Sequence, residues 1–117
     1  MPPTYAAFPE SEHRERLARA RRVLRDAGLA GAIVVAPEHI FYLSGYDSWV
    51  SVNSPQALIF GADQDEPTLV LRNVDLPLAL ETSWFKDIRT YHLHRDDVPG
   101  LIARVLDEKG LAGRRIA

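Results

Sequence analysis

Apolar residues recur along this chain in two rhythms. Leu17, Ala20, Val23, Leu24 and Ala27 follow the helical spacing of three and four, and Gly28 stops the run. Ser11 is the expected N-cap, with Glu12 and Glu15 in the first turn, where the helix dipole favours negative charge. Ala32-Ile33-Val34-Val35-Ala36 is a short continuous apolar run and reads as a buried strand. Residues 37–44 predict a short helix, opened by Pro37 and closed by Gly45. Residues 46–54 are a polar and aromatic loop. Residues 57–60 and 68–71 form two strands around an acidic turn, a hairpin with a longer connection than most. Residues 73–83 predict a helix, with Pro77 near its start and Leu76, Leu80 and Trp84 at helical spacing. A strand at 88–93 and a helix at 96–109 follow. Asp96 or Asp97 caps that helix, Pro99 sits in its first turn, and Leu101, Ile102, Val105 and Leu106 form its stripe. Residues 1–10 hold three prolines and read as an extended arm.

Helices alternating with strands predict an α/β domain, a mixed sheet covered on both faces. One phrase is written twice. Arg22-Val23-Leu24 leads to Gly28-Leu29-Ala30-Gly31, and Arg104-Val105-Leu106 leads to Gly110-Leu111-Ala112-Gly113. Each copy has the form of a helix end: a glycine able to take positive φ, then a leucine that folds back on the last turn. A recurrent helix-to-strand connection accounts for the pair better than an internal duplication. Arg114-Arg115-Ile116-Ala117 then reads as the start of another strand, and the chain is expected to be one domain of a longer protein.

With 117 residues the chain has the size of a single domain, and 46% apolar residues suffice for one core. A formal charge of −2 argues against a general nucleic-acid field. Six arginines, Arg14, Arg16, Arg19, Arg21, Arg22 and Arg25, crowd the first helix. They read as a solvated face with some acid partners, because aromatic residues are not interleaved with them. Cysteine is absent, which removes disulfides, thiol catalysis and cysteine metal sites. The first residues lack the pattern of a secretory signal, and no run reaches the length of a membrane span, so a cytoplasmic protein without membrane or nucleic-acid partners is expected.

Tyr91-His92-Leu93-His94 would put two imidazoles on one face of a strand, a partial zinc site needing a third ligand; two polar residues at a strand end is the better reading. Phe41 to Trp49 is the densest aromatic cluster. Tyr46, Asp47 and Trp49 fall in its loop part, where an aromatic beside a carboxylate suits a small cationic or ring-shaped ligand, or else loop packing. Ser44, Ser48, Ser51 and Ser54 lack a nucleophile elbow or an adjacent histidine, and no glycine-rich phosphate loop is present.

His39-Ile40-Phe41-Tyr42-Leu43-Ser44-Gly45-Tyr46, preceded by Gly28 to Val35, resembles the N-terminal domain of the creatinase/prolidase/aminopeptidase P metallohydrolases. In that family a helix ending GLDALLV leads to a strand and then to NIxYLTGY; here His39 replaces the common Asn and Ser44 the Thr. The resemblance covers residues 11–117 and implies a three-layer, ribonuclease-H-like α/β/α fold. It also implies a non-catalytic role in oligomerisation and substrate-pocket shaping. The catalytic centre, two Mn, Zn or Co ions, belongs to a C-terminal pita-bread domain absent from this chain. The implied partners are that domain, a second copy in a homodimer, and a small peptide or C–N substrate. The implied parent reaction is Xaa-Pro peptide cleavage. The alternatives are a creatinase-like or cyclic-amidine hydrolase, or a stand-alone binding module. By the same resemblance Tyr46, Asp47 and Trp49, with Ser48 and Asn53, are the substrate-proximal residues, and no catalytic or metal-binding residue is assigned.

Overall fold

The computed structural model describes residues 8–47, 54–63 and 66–117. Its elements are α1 (Glu10–Asp26), β1 (Gly31–Val34), α2 (Pro37–Ser44), β2 (Ala57–Gly61), β3 (Thr68–Arg72), a 3-10 turn (Asn73–Asp75), α3 (Leu76–Thr82), β4 (Ile88–Tyr91) and α4 (Val98–Glu108). The strands form a mixed sheet in the order β1-β2-β3-β4. The pairs β1/β2 and β2/β3 are antiparallel and β3/β4 is parallel, with α3 in the crossover. Side chains alternate across the pleat. Leu58, Phe60, Leu69 and Leu71 pack on one face with Leu17 and Leu24 of α1, Ile40 and Leu43 of α2, and Ala79 of α3. Ala57, Ile59 and Val70 point to the other face and meet Val105 of α4 and Leu111. The result is the expected three-layer α/β/α arrangement.

The repeated phrase ends both long helices in the same way. Leu29 N–H donates to Leu24 O and Leu111 N–H to Leu106 O, both at 2.8 Å. Gly28 and Gly110 take the left-handed conformation between them, with φ of 74° and 71°. These are Schellman closures, and Leu111 is buried over the last turn of α4. Along β1's outer edge, Ala30 N–H donates to Arg115 O (2.8 Å), Ala117 N–H to Gly31 O (2.9 Å) and Ile33 N–H to Ala117 O (3.1 Å). That is the bonding pattern of a parallel neighbour, although residues 114–117 form no strand of their own.

Several expected boundaries shift. α1 begins at Glu10, with Pro9 as N-cap and no side-chain cap, so Ser11 lies inside the helix. Its buried stripe is His13, Leu17 and Leu24 rather than one including Val23, which is 67% exposed. The helix at 73–83 divides into the 3-10 turn and α3. Leu80 faces outward and Trp84 lies beyond the helix end. β4 stops at Tyr91, because Asp96 Oδ2 accepts the His92 N–H at 2.8 Å and folds the chain into a turn. α4 starts at Val98 with Asp97 as its cap, accepting from Gly100 N–H at 3.1 Å. The arginines of α1 are only partly ion-paired: Arg14 bonds Glu10 at 2.6 Å and Arg16 bonds Glu12 at 3.2 Å. Arg16 also stacks on Phe8 and Tyr42.

His13 is buried in the seam between α1 and α2. Its Nδ1–H donates to Tyr42 O at 3.0 Å, and its Nε2 has no partner. Burial holds the imidazole below its ordinary pKa, outweighing the Tyr42 carbonyl that favours the protonated ring, while Arg16 opposes and Glu12 favours that charge. The unfolded chain therefore binds this proton at higher pH than the fold does. The associated stability is full above about pH 6.5 and is lost progressively as pH falls toward the folded-state value. Thermal melts between about pH 7.5 and 5.5 should show a falling midpoint that flattens in His13→Gln. Identical slopes in the two proteins would remove His13 as the cause.

Candidate functional site

The carboxyl ends of β1, β3 and β4 and the start of β2 lie at one end of the sheet, as the registers Val34↔Leu58, Ala57↔Val70 and Arg72↔Tyr91 require. In open, mostly parallel α/β sheets ligands bind outside the carboxyl ends of the strands. Residues from five segments gather there. Gly45 closes α2 in the left-handed conformation and turns the chain into Tyr46, whose ring is fully buried. The Tyr46 hydroxyl donates to Asp75 Oδ2 at 3.1 Å, tying the α2 exit to the 3-10 turn. Ser44 Oγ accepts the Tyr46 N–H at 3.0 Å and fixes that exit. Tyr91, at the end of β4, donates its hydroxyl to Pro55 O just ahead of β2. Burial pushes the Tyr91 phenol up; the nearby Arg72 charge opposes the shift and Asp75 adds to it.

Three polar groups at this end are buried without a hydrogen-bond partner: Ser54 Oγ, Gln56 Nε2 and Arg72 Nε. Ser54 and Gln56 are only 4% and 8% exposed. Buried donors of this kind each cost on the order of 1–3 kcal/mol when left unpaired, so keeping three of them at one end of the sheet is unfavourable for a closed surface. It suits a surface that receives acceptor groups from something else.

Of the five expected substrate-proximal residues, Ser48, Trp49 and Asn53 lie outside the described residues. Tyr46 is an interior residue with its hydroxyl committed to Asp75, and Asp47 beside it is exposed. The sequence reading missed Gln56, Arg72 and Asp75, and it considered Ser54 only as a nucleophile. The available signal was positional: Gln56 immediately precedes, and Arg72 ends, otherwise apolar strands.

The two histidines do not fit a metal. His92 and His94 leave β4 in a turn, with His94 at φ 66°. Arg95 Nη2 donates to His92 Nδ1 at 2.8 Å, which takes that lone pair. The Asp96 carboxyl is held below the usual range by the His92 N–H and the Arg95 guanidinium. Among the described residues no three His, Asp or Glu side chains are placed to hold an ion. No helix is long and apolar enough to cross a membrane among them either.

A family model for the creatinase/prolidase N-terminal domain matches residues 16–117. The chain belongs to this family. The domain is 33% identical over 82 residues to the uncharacterized hydrolase/peptidase y4tM of Sinorhizobium fredii, covering 70% of this chain and 21% of that protein. Among solved structures it is similar to dipeptidase PepE from Mycobacterium ulcerans, with 27% identity, a TM-score of 0.67, and coverage of 86% of this chain and 27% of that one. The N-terminal domain of an Xaa-Pro dipeptidase from Lactobacillus brevis has the same fold, with a TM-score of 0.72 at 21% identity over 81% of this chain and 69% of that one. The domain spans about a fifth of the length of the curated relatives it matches.

Proposed function

We propose that residues 11–117, preceded by a short arm, are the non-catalytic N-terminal domain of a cytoplasmic metal-dependent hydrolase that cleaves Xaa-Pro dipeptides. In this reading the domain shapes the substrate pocket and helps assemble a homodimer. Two divalent ions would supply the hydrolytic chemistry from a C-terminal domain, and the donor set described above does not hold them. Family membership and relatives named as dipeptidases support the parent activity. The observation that carries the pocket-shaping role is that Ser54, Gln56 and Arg72 each leave a buried polar atom unpartnered at the end of the sheet where Tyr46 bonds Asp75. Arg72 offers a charged donor for a carboxylate, which a dipeptide carries at its C-terminus. Tyr46 sets the path of the chain from behind, and Asp47, Ser48, Trp49 and Asn53 follow it as substrate-proximal residues.

The test uses the complete reading frame, assayed with an Xaa-Pro dipeptide and Mn²⁺. Arg72→Met should raise KM about tenfold and change kcat less than about threefold, the pattern of lost binding with intact chemistry. An unchanged KM, or a collapse of kcat alone, would reject the role. The 117-residue chain by itself should turn over no dipeptide with Mn²⁺ or Zn²⁺; metal-dependent turnover by it would reject the non-catalytic assignment. Light scattering of the complete protein should give a dimer, and a monomer would reject the assembly role.

A further inference from the structure

The arginine-rich face of α1 borders a groove made of two neighbouring clefts. One cleft of about 530 Å³ is lined by Arg14, Arg21, Arg22 and Arg25 together with Glu66 and Trp84. A second, of about 280 Å³, is lined by Arg25, Arg114, Arg115 and Asp63 where the chain's last residues pass the end of α1. Arg25 lines both, so the two clefts are neighbours on either side of that side chain. The guanidinium of Arg25 is fixed by a backbone carbonyl: its Nη1 donates to Ala62 O at 2.6 Å. A carbonyl orients a guanidinium without cancelling its charge. Arg22, Arg114 and Arg115 make no ion pair with any described carboxylate. Among the described residues, Arg22, Arg25, Arg114 and Arg115 thus outnumber the acidic lining residues Glu66 and Asp63, on a chain whose formal charge is −2.

We infer that this groove docks an extended acidic peptide segment of a partner protein. Guanidinium groups bind carboxylates through paired N–H donors, and Arg25 is already held in place, which lowers the ordering cost of binding. The run from Arg14 to Arg25 is about 16 Å of helix, enough for about five residues of extended chain. A nucleic acid fits less well. The Trp84 ring is already covered by Arg14, whose guanidinium carbon lies 4.6 Å from its centroid, so it offers no stacking platform.

Fluorescence anisotropy with labelled hexaglutamate and the 117-residue chain tests the inference, with a hexathymidylate as competitor. Hexaglutamate should bind at about 50 mM salt and weaken at least about tenfold by about 300 mM. The triple variant Arg22→Gln, Arg114→Gln, Arg115→Gln should lose at least about tenfold in affinity while melting like the parent chain, because these exposed side chains make no hydrogen bond or ion pair among the described residues. Arg104→Gln, on the opposite layer, should bind within about twofold of the parent. Absence of binding at low salt, equal loss in the Arg104 variant, retained binding in the triple variant, or tighter binding of the oligonucleotide would each overturn it.

Discussion

Gly45→Ala should destabilise the domain by about 3 kcal/mol or more, whereas Gly28→Ala should cost about 1 kcal/mol. Both glycines occupy the left-handed region, with φ of 87° and 74°. A side chain there carries a strain of about 1–2 kcal/mol at either position. The surroundings separate them. A Cβ at Gly28 meets nothing within 4 Å, while one at Gly45 would lie 2.6 Å from Thr82 O and 3.2 Å from His13 Nε2. The first of these is backbone at the end of α3 and cannot swing away as a long side chain would. Either α3 moves off α2, opening the core around Ala79 and Ile40, or Gly45 leaves its cap and carries Tyr46 with it. Chemical denaturation of the two variants side by side checks this, and equal midpoints would show that the α2–α3 contact is soft.

Trp84 is the second site of large effect. It lies just past α3, only 8% exposed, edge-on to Phe85 with ring centroids 5.1 Å apart. Its Nε1–H donates to Leu43 O at 2.7 Å and its backbone N–H to Ser44 O at 3.1 Å. The last carbonyls of a helix have no partner within it, so Trp84 supplies from another element what α2 lacks. Trp84→Ala should cost about 3–5 kcal/mol through lost volume and the exposed carbonyl together. Trp84→Phe keeps most of the ring and should cost about 1–3 kcal/mol through the Leu43 carbonyl alone. If the two variants melt together, packing is not the larger part of the Trp84 contribution. A cost below about 1 kcal/mol for Trp84→Ala would mean the site collapses without a cavity.

Local signals explain why most elements were readable. Pro37 and Gly45 bracket α2 because one presets helical φ and the other tolerates the closing turn, and both act within the segment itself. The short apolar runs of β2 and β3 on either side of an acidic turn located the hairpin in the same way. Errors arose where a distant or short-range polar contact overrode the pattern. The apolar run through Leu93 promised two more strand residues, yet the Asp96 carboxylate captured the His92 N–H and ended β4. Val23 fits the helical stripe by spacing, but α1 buries His13 against α2 and Leu17 and Leu24 in the core, and leaves Val23 outside. The candidate site was legible only as a region. Tyr46 was placed in a loop with its aromatic neighbours, but its burial depends on Asp75, 29 positions away. Gln56 and Arg72 resemble ordinary strand-end polar residues until the sheet register brings them to one end.

The tail along β1 bears on the order in which the chain can finish folding. Among the earliest segments to leave the ribosome are Ala30, Gly31 and Ile33, whose outward amides and carbonyl bond to residues 115 and 117. The hairpin of β2 and β3 can cover the inner side of β1 much sooner. During synthesis, therefore, one flank of the first strand stays open to water or to a neighbouring nascent chain until residue 117 is made. In this domain the oldest strand is the last to be enclosed.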